Sequence, residues 1–358
     1  MNFGTKLLTI CYNMKLLMIT RKIDKDDGLA GFTFNWVKKL SSNVDKIYVM
    51  CLEKGNADGL PENVTVYSLG KEKGKNRWRE FWRFHKYAVK LVPKVDGVFA
   101  HQNPEYGILI SLWTKIFRKR LVAWYAHGGV GYKLKLLNFL GNKMISSTPS
   151  GFKLPSKKLT ILHQGIDTEM FDYQSKDSHD SLTLLSVSRL SEKKNIHFML
   201  DLIKQLKDKS DKKIIFNIIG TTSNLNEEQY LDDLYNKVRE LGLDDNVKFL
   251  GSIANDRTPP FYKEADIFLN YSDTASLDKT ILEAMSCGTL VLTSNESAKV
   301  ILSKINKSFC LDNFDQAFDK MMEINTLDKN IVSKTLSDLV KSDHSLDHLM
   351  KEIADCFR

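Results

Sequence analysis

Short apolar runs separated by polar and helical stretches dominate the N-terminal half of the chain. Residues 15–20, 46–51, 64–69, 98–101, 121–126 and 159–163 have the length and apolar character of buried strands. A loop with two glycines follows the first run. Apolar residues then recur at helical spacing: Phe32, Trp36, Val37 and Leu40. This order of strand, glycine loop and helix predicts a Rossmann-like unit.

A second alternation of strands and helices begins after the polar residues 173–181, which are the best candidate for a linker. Strands are predicted at residues 182–187, 213–219, 247–250, 267–271 and 290–293, with helices at residues 196–207 and 227–241. Such alternation predicts a second parallel sheet covered by helices on both faces. Because 358 residues are too many for one typical core, we expect two domains.

The stretch from Ser276 to Glu283 predicts a helix start just after the strand at 267–271. Ser276 suits the N-cap position, and Asp278 then lies in the first turn, where a carboxylate interacts favourably with the helix dipole. The free backbone N–H groups of such a start bind anions, and Lys279 adds positive charge. Glu283, one turn further, can offer its carboxylate to hydroxyl groups on the same face. The alternative is an ordinary helix with Lys279 and Glu283 as a solvated ion pair.

Two other candidate sites follow predicted strands, at the sheet edge where open α/β proteins bind ligands. Arg189 and Lys194 come after the strand at 182–187 and flank the next helix start, which makes them a second anion-binding element. Taken alone, they could equally be surface cations. His127 follows the strand at 121–126 on a glycine-rich loop, and a structural or a functional role is equally open for it.

Several function classes receive little support. The loop D-D-G-L-A-G-F at residues 26–32 lacks the G-x-G-x-x-G spacing of dinucleotide-binding proteins. The five scattered cysteines predict neither a disulfide framework nor a zinc site, and favour a reducing, cytoplasmic location. No apolar run approaches the ~20 residues of a spanning helix. The apolar residues 7–19 lack a signal-peptide cleavage site, and Met14 is an alternative start.

A surplus of positive charge suits an anionic partner: 52 basic and 44 acidic residues give a net charge of +8. The segment that begins at Lys71 and ends at Lys94 interleaves Lys and Arg with Trp, Phe and Tyr. A shorter one begins at Trp113 and ends at Arg120. Such segments suit an anionic membrane surface, where each cation adds roughly 1 kcal/mol. The alternatives are aromatic residues that face the core, and nucleic acid, for which no binding module accompanies the charge.

Together these segments resemble family 4 of the retaining glycosyltransferases with the GT-B fold. In the C-terminal half the resemblance rests on Arg189 and Lys194, on Gly220 after its strand, and on the motifs V-K-F-L-G (247–251), A-D-I-F-L-N (265–270) and L-E-A-M-S-C-G-T-L (282–290). In the N-terminal half, the matching motifs are K-L-L-M-I-T (15–20), Y-A-H-G-G (125–129) and H-Q-G-I-D (163–167).

The resemblance implies an α/β architecture with two Rossmann-like domains facing a central cleft. Residues 1–170 would form the acceptor-binding domain, residues 171–335 the nucleotide-sugar-binding domain, and residues 336–358 a helix crossing back to the N-terminal domain. Arg189 and Lys194 would hold the donor diphosphate and stabilise its developing charge, with His127 near the reacting centre. The other implied donor-binding residues are Gly31, Gly220, Ser276, Leu277, Asp278, Lys279 and Glu283, the last as acceptor for the ribose hydroxyls. Neither a metal nor a cofactor is expected.

One departure concerns the donor pocket. The family motif has two glutamates separated by seven residues, and Ala275 occupies the first position. We therefore expect an altered pocket, to which Asp278 or Asp273 supplies the polar contact. The expected function is retaining sugar transfer from a nucleotide sugar, with UDP favoured by family frequency, to a glycan or lipid-linked acceptor in cell-surface polysaccharide or glycolipid synthesis. We expect a cytoplasmic protein peripheral to the inner membrane face. The alternative is a non-catalytic GT-B protein that binds nucleotide or a partner.

Overall fold

The computed structural model describes residues 13–28, 30–74, 76–176, 180–274 and 276–358. Within these residues a first sheet has seven parallel strands in the order β3-β2-β1-β4-β5-β6-β7. Their bounds are β1 (Lys15–Ile23), β2 (Lys46–Lys54), β3 (Val64–Ser68), β4 (Gly97–His101), β5 (Arg120–Trp124), β6 (Lys143–Ser146) and β7 (Leu159–Ile161). The sequence pattern did not predict β6, in which only Met144 and Ile145 are apolar.

Helices cover both faces of this sheet: α1 (Gly31–Ser41), α2 (Arg77–Leu91), α3 (Pro104–Ile116) and α4 (Tyr132–Leu140). The packing of β1 explains why its apolar run is continuous. Leu16 and Met18 belong to the buried cluster that contains Trp36 of α1, whereas Leu17 belongs to the cluster that contains Ile110 of α3. Successive residues of a strand face opposite sides of the sheet. Because helices cover both faces of this sheet, its central strands need an apolar residue at every position.

The second sheet has five parallel strands among the described residues, in the order β10-β9-β8-β11-β12. Their bounds are β8 (Ser181–Val187), β9 (Lys213–Ile219), β10 (Val247–Gly251), β11 (Ile267–Asn270) and β12 (Leu290–Thr293). The helices of this part are α5 (Ile196–Lys209), α6 (Leu225–Glu240), α7 (Pro259–Glu264), α8 (Lys279–Ser286), α9 (Glu296–Leu302), α10 (Ala317–Asn325) and α11 (Lys329–Asp343). Two parallel sheets with helical crossovers confirm the predicted α/β architecture.

The last helix, α12 (Leu346–Asp355), lies on the N-terminal domain against α1. Its buried residues Leu346, Leu349, Met350 and Ile353 join the same cluster as Trp36. Where the chain returns, Ile166 N donates a hydrogen bond to His344 O at 2.7 Å, and Leu346 N donates one to Ile166 O at 2.8 Å. Within the described residues, no helix has both the length and the apolar character that crossing a bilayer requires.

Replacement of Met350, which is fully buried under α1, tests the contribution of α12 to the N-terminal domain. The change Met350→Ala removes most of a buried side chain and should lower the free energy of unfolding by about 2–5 kcal/mol. All five tryptophans lie before residue 125, so tryptophan fluorescence during urea unfolding reports on this domain. The exposed neighbour Lys351→Ala is the matched control, and an equal effect of both changes would contradict the prediction.

Candidate functional site

The strand order of each sheet reverses at one point, between β1 and β4 in the first sheet and between β8 and β11 in the second. Open α/β proteins bind ligands outside the carboxyl ends of their strands at such a point. A cleft of about 520 Å³ lies there, between the two domains. The predicted site residues that line it are His127, Arg189, Lys194, Gly220, Asp278, Lys279 and Glu283.

Glu283 lies on α8 and is buried, with both carboxylate oxygens already fixed by hydrogen bonds. Tyr262 Oη donates to Oε2 at 2.9 Å, and Asn255 Nδ2 donates to Oε1 at 3.2 Å. Burial raises the pKa of Glu283, and the two hydrogen bonds and Lys279 oppose that effect. The result is a carboxyl group of fixed orientation at the wall of the cleft, as recognition of a hydroxyl pair requires.

Lys194 follows β8, and its Nζ lies 2.7 Å from Asp278 Oδ2 and 3.1 Å from Ser272 Oγ. Asp278 also accepts hydrogen bonds from Asn270 Nδ2 at 3.0 Å and from Thr274 Oγ1 at 3.1 Å. Burial alone raises the pKa of Asp278, but the Lys194 charge and these hydrogen bonds hold it below its ordinary value. The two side chains therefore form an ion pair that links the loop after β8 to the start of α8.

Arg189 also follows β8, and its Nε lies 3.3 Å from Glu227 Oε1. The other oxygen of Glu227 accepts hydrogen bonds from Ser223 N and Oγ, both at 2.6 Å. Gly220, just after β9, has a φ of +150°, and a Cβ there would lie 1.8 Å from Ser188 O. Only glycine fits, so the backbones that follow β8 and β9 meet directly at the wall of the cleft.

His127 approaches the cleft from the N-terminal domain, on the loop that follows β5. Its ring packs edge-on against Tyr125, with the ring centroids 5.3 Å apart. Desolvation lowers the pKa of His127, and a hydrogen bond with the backbone of Gln102 opposes this. The ring is therefore predominantly neutral at pH 7, with one nitrogen that donates and one that accepts.

A second space of about 500 Å³ adjoins the cleft on the N-terminal side. Arg21 and His127 line both spaces, and the second one extends to Tyr132 and Lys133 on α4. Gln102, with an unusual φ of 65°, lies in its wall just after β4. His127 therefore stands where the two spaces meet.

Lys279 is the first residue of α8, and its ammonium nitrogen is buried without a hydrogen-bond partner among the described residues. Nζ lies 3.3 Å from the ring centroid of Phe32 and 5.1 Å from that of Trp36, both on α1 of the other domain. Burial lowers the pKa of Lys279 to about 7, although Glu283 acts to raise it. The solvated ion pair of Lys279 and Glu283, one alternative from the sequence, is therefore wrong.

The start of α8 also differs from the prediction. Asp278, not Ser276, is the N-cap, so Asp278 precedes the first turn instead of lying within it. The Asp278 side chain is held by Lys194 and makes no capping hydrogen bond, which leaves the helix start without a side-chain cap. Ser276 instead uses its carbonyl to accept a hydrogen bond from Asn295 Nδ2 at 3.0 Å.

Gly31, Ser276 and Leu277 are not among the described residues that line the cleft. Gly31 is buried at the start of α1, whereas Gly28 lies in the cleft wall, where a Cβ would lie 2.5 Å from Ser252 Oγ. Leu277 belongs to the C-terminal hydrophobic core. Ala275 lies outside the described residues, and so does any contact made at that position.

Sequence reasoning missed four side chains that organise the site: Phe32, Trp36, Glu227 and Asn255. Asn255 follows β10 by a few residues, so its place near the carboxyl end of a strand was a usable signal. Phe32 and Trp36 were assigned only to a helix core. Their contact with Lys279 joins residues more than two hundred positions apart, which no local pattern indicates.

Comparison with known proteins finds a family model that matches part of the C-terminal half. Residues 167–323 match the family model described as "Glycosyl transferases group 1". The alpha-monoglucosyldiacylglycerol synthase of Streptococcus pneumoniae is 34% identical over 110 residues, which cover 31% of this chain and 23% of that protein. The amylovoran biosynthesis glycosyltransferase AmsK of Erwinia amylovora is 30% identical over 153 residues, covering 40% of this chain and 35% of AmsK. These matches span about a quarter to a third of the relatives' own length.

Solved structures match the chain almost throughout. HepE of Anabaena, in complex with UDP, superposes with a TM-score of 0.75 at 16% identity, over 96% of this chain and 99% of HepE. A glycosyltransferase from Rickettsia africae ESF-5 gives 0.74 at 15% identity, over 97% and 98% of the two chains. At such identities the likeness establishes the fold, and the narrower assignment to family 4 stays a prediction. The chain thus has the GT-B fold, and its residues 167–323 match the model of the glycosyl transferases group 1 family.

Proposed function

We propose that the chain is a retaining glycosyltransferase that transfers a sugar from a nucleotide sugar, a UDP-sugar above all, to a glycan or lipid-linked acceptor. The observation that carries the proposal is the cleft, where cations, a helix start and a fixed carboxyl group face a histidine of the other domain. Complexes of HepE with UDP and with UDP-glucose support the donor class. The names of the Streptococcus and Erwinia relatives support an acceptor in glycolipid or polysaccharide synthesis.

In this proposal the C-terminal domain holds the donor. Glu283 accepts hydrogen bonds from the ribose hydroxyls, because its orientation is fixed by Tyr262 and Asn255. Arg189, Lys194 and the uncapped start of α8 surround the diphosphate and stabilise the charge that develops on it as the glycosidic bond breaks. The absence of a side chain at position 220 lets the backbone after β9 contact Ser188, which fixes the loop that carries Arg189.

Retention of the anomeric configuration is supported by how the acids of the cleft are engaged. Asp278 is bound to Lys194, and Glu283 is bound to Tyr262 and Asn255, so neither is placed as a general base. The acceptor then attacks from the face that the diphosphate leaves, and a phosphate oxygen takes its proton. His127 contacts the sugar in this scheme. A catalytic base at His127 would instead produce inversion.

The second space, beside His127, is the proposed acceptor site. Arg21 gives it positive charge, Lys133 is paired with Glu105, and Tyr132 provides an aromatic surface at its mouth. A polar or anionic head group fits this lining. The space opens toward α4, whose outer face is apolar, with Tyr132, Leu136 and Phe139 exposed.

A surface formed by α2, α3 and α4, here called the α2–α4 face, suits an anionic membrane. Trp78 and Trp82 on α2 are 75% and 67% exposed, and the basic residues Arg77, Arg79, Lys86 and Lys90 are exposed beside them. The face continues through exposed apolar residues of α3 and α4: Leu112, Ile116, Leu136 and Phe139. Phe84 is buried and Trp113 donates a hydrogen bond to His85 Nδ1, so these two aromatics hold the helices together instead. Through this face we place the protein peripherally at the cytoplasmic side of a membrane.

The donor class can be tested by thermal unfolding with UDP, GDP and ADP and their common sugar conjugates. One of them, at a hundredfold excess over its dissociation constant, should stabilise the fold by about 2.7 kcal/mol. The change Glu283→Gln should abolish that shift, because one carboxylate oxygen becomes an NH2 group, which donates hydrogen bonds and cannot accept one from a ribose hydroxyl. Glu264→Gln, at an exposed position of α7, is the control. If no nucleotide stabilises the protein, the donor assignment is wrong and a non-catalytic role is favoured.

The stereochemical outcome tests retention separately from binding. With the donor found above, slow transfer to water in place of the acceptor should release the sugar first as the α-anomer from an α-linked donor. Proton NMR recorded before the anomers equilibrate distinguishes the products. Initial release of the β-anomer would show inversion and would assign His127 as the base.

Membrane association can be measured by sedimentation with vesicles of phosphatidylglycerol and phosphatidylcholine. The double change Trp78→Ser and Trp82→Ser should weaken binding roughly tenfold or more, since two indole rings leave the interface. The double change Leu225→Ser and Val300→Ser is the control, because these residues are 79% and 64% exposed on the other domain. Equal binding to vesicles of phosphatidylcholine alone, or no effect of the tryptophan changes, would rule out the α2–α4 face as the contact.

A further inference from the structure

The two cations that the family resemblance assigns to the diphosphate already have carboxylate partners. Lys194 Nζ lies 2.7 Å from Asp278 Oδ2, and Arg189 Nε lies 3.3 Å from Glu227 Oε1. Each pair carries little net charge, so together they offer a diphosphate less attraction than two free cations would. The charge that meets the donor must therefore come partly from elsewhere.

Lys279 differs from both. Its ammonium nitrogen is buried and lacks a hydrogen-bond partner among the described residues, and Phe32 and Trp36 cover it from α1. An unpaired charge at such a place is costly, and contact with aromatic rings compensates only part of that cost. The same side chain lines the cleft beside the start of α8, where an anion would also meet free backbone N–H groups.

We propose that Lys279 is a further cation that neutralises the donor diphosphate in this cleft, beside Arg189 and Lys194, and that it leaves the faces of Phe32 and Trp36 to do so. The inference rests on the proposed function, because its ligand is a nucleoside diphosphate sugar. Lys194 and Arg189, whose charges are shared with Asp278 and Glu227, supply the remaining positive charge.

This role makes donor affinity depend on pH. Without ligand, burial lowers the pKa of Lys279 to about 7, and a bound diphosphate must raise it. Donor affinity is therefore highest below pH 7 and falls as the pH rises above 7. At higher pH, Lys279 must take up a proton when the donor binds, and the free-energy cost of that protonation weakens binding. The other charged or titratable groups that face this site come from both domains: Glu283, Asp278, Arg189 and Lys194 from the C-terminal domain, and His101, His127 and Arg21 from the N-terminal domain.

The test measures calorimetric affinity for UDP-glucose, or for GDP-mannose or ADP-glucose if one of these is the nucleotide sugar that binds. A diphosphate esterified at both ends lacks the ionisation near about pH 6 of a terminal phosphate, so the probe keeps its charge. Wild-type affinity should fall roughly tenfold over about 1.5 pH units above pH 7. Lys279→Met should weaken binding roughly tenfold or more at pH 6 and remove the pH dependence. Lys279→Arg should bind without pH dependence, since a guanidinium stays charged.

Lys193→Met is the control, because Lys193 is exposed next to Lys194 and does not line the cleft. It should keep the wild-type affinity and its pH profile. If Lys279→Met retains the wild-type affinity at pH 6, or keeps the pH profile, the inference is wrong while the proposed function stands. If no nucleotide sugar binds the wild type, both are wrong. Lys279→Arg, which preserves charge and approximate length, guards against a loss caused by misfolding of Lys279→Met.

Discussion

Parallel strand pairing is the constraint on which the rest of this structure depends. Each parallel connection must cross back over the sheet, so the carboxyl ends of all strands lie at one edge, and the loops that leave them converge. Both sheets of this chain are parallel, and their edges face each other across the cleft. Arg189, Gly220 and the start of α8 meet for this reason, although they are far apart in the sequence. His127 reaches the same place from the other sheet.

Within the cleft, the arrangement of charge decides what the fold can do. Asp278 is bound by a lysine, an asparagine and a threonine, which leaves this carboxylate little capacity for a ligand. Glu283 is held by neutral donors and keeps its role as an acceptor open. The ammonium group of Lys279 contacts two aromatic rings, whereas the cationic groups of Lys194 and Arg189 contact carboxylates. The same short segment thus supplies a structural anion, a recognition carboxyl group and a cation that makes no hydrogen bond to any described residue.

The sequence predicted the architecture because a buried parallel strand leaves an unbroken apolar run, as residues 15–20 and 213–219 do. It located β1 but not its end, since Lys22 extends the ladder with β2 and finds carboxylate partners in Asp24 and Asp27. It predicted an anion site at the start of α8, which lies at the cleft, but it misplaced the first residue of that helix. Ser276 and Asp278 have similar local propensities for an N-cap, and the contact of Asp278 with Lys194, eighty-four positions away, determines the loop. Such tertiary contacts override propensity and leave no local trace.

The two segments that connect the domains run side by side. Ile166, where the chain leaves the first domain, and Ser345, where it returns, form a parallel bridge reinforced by backbone hydrogen bonds. Two chain segments that connect the domains and are hydrogen-bonded to each other act as a single hinge. Sliding of one domain over the other would stretch that hinge, whereas rotation about it strains only a few backbone dihedrals. In such a rotation, the displacement of any residue of the cleft is proportional to its distance from the hinge. Residues at the outer edge of the cleft would therefore move most, and residues next to the bridge would move least.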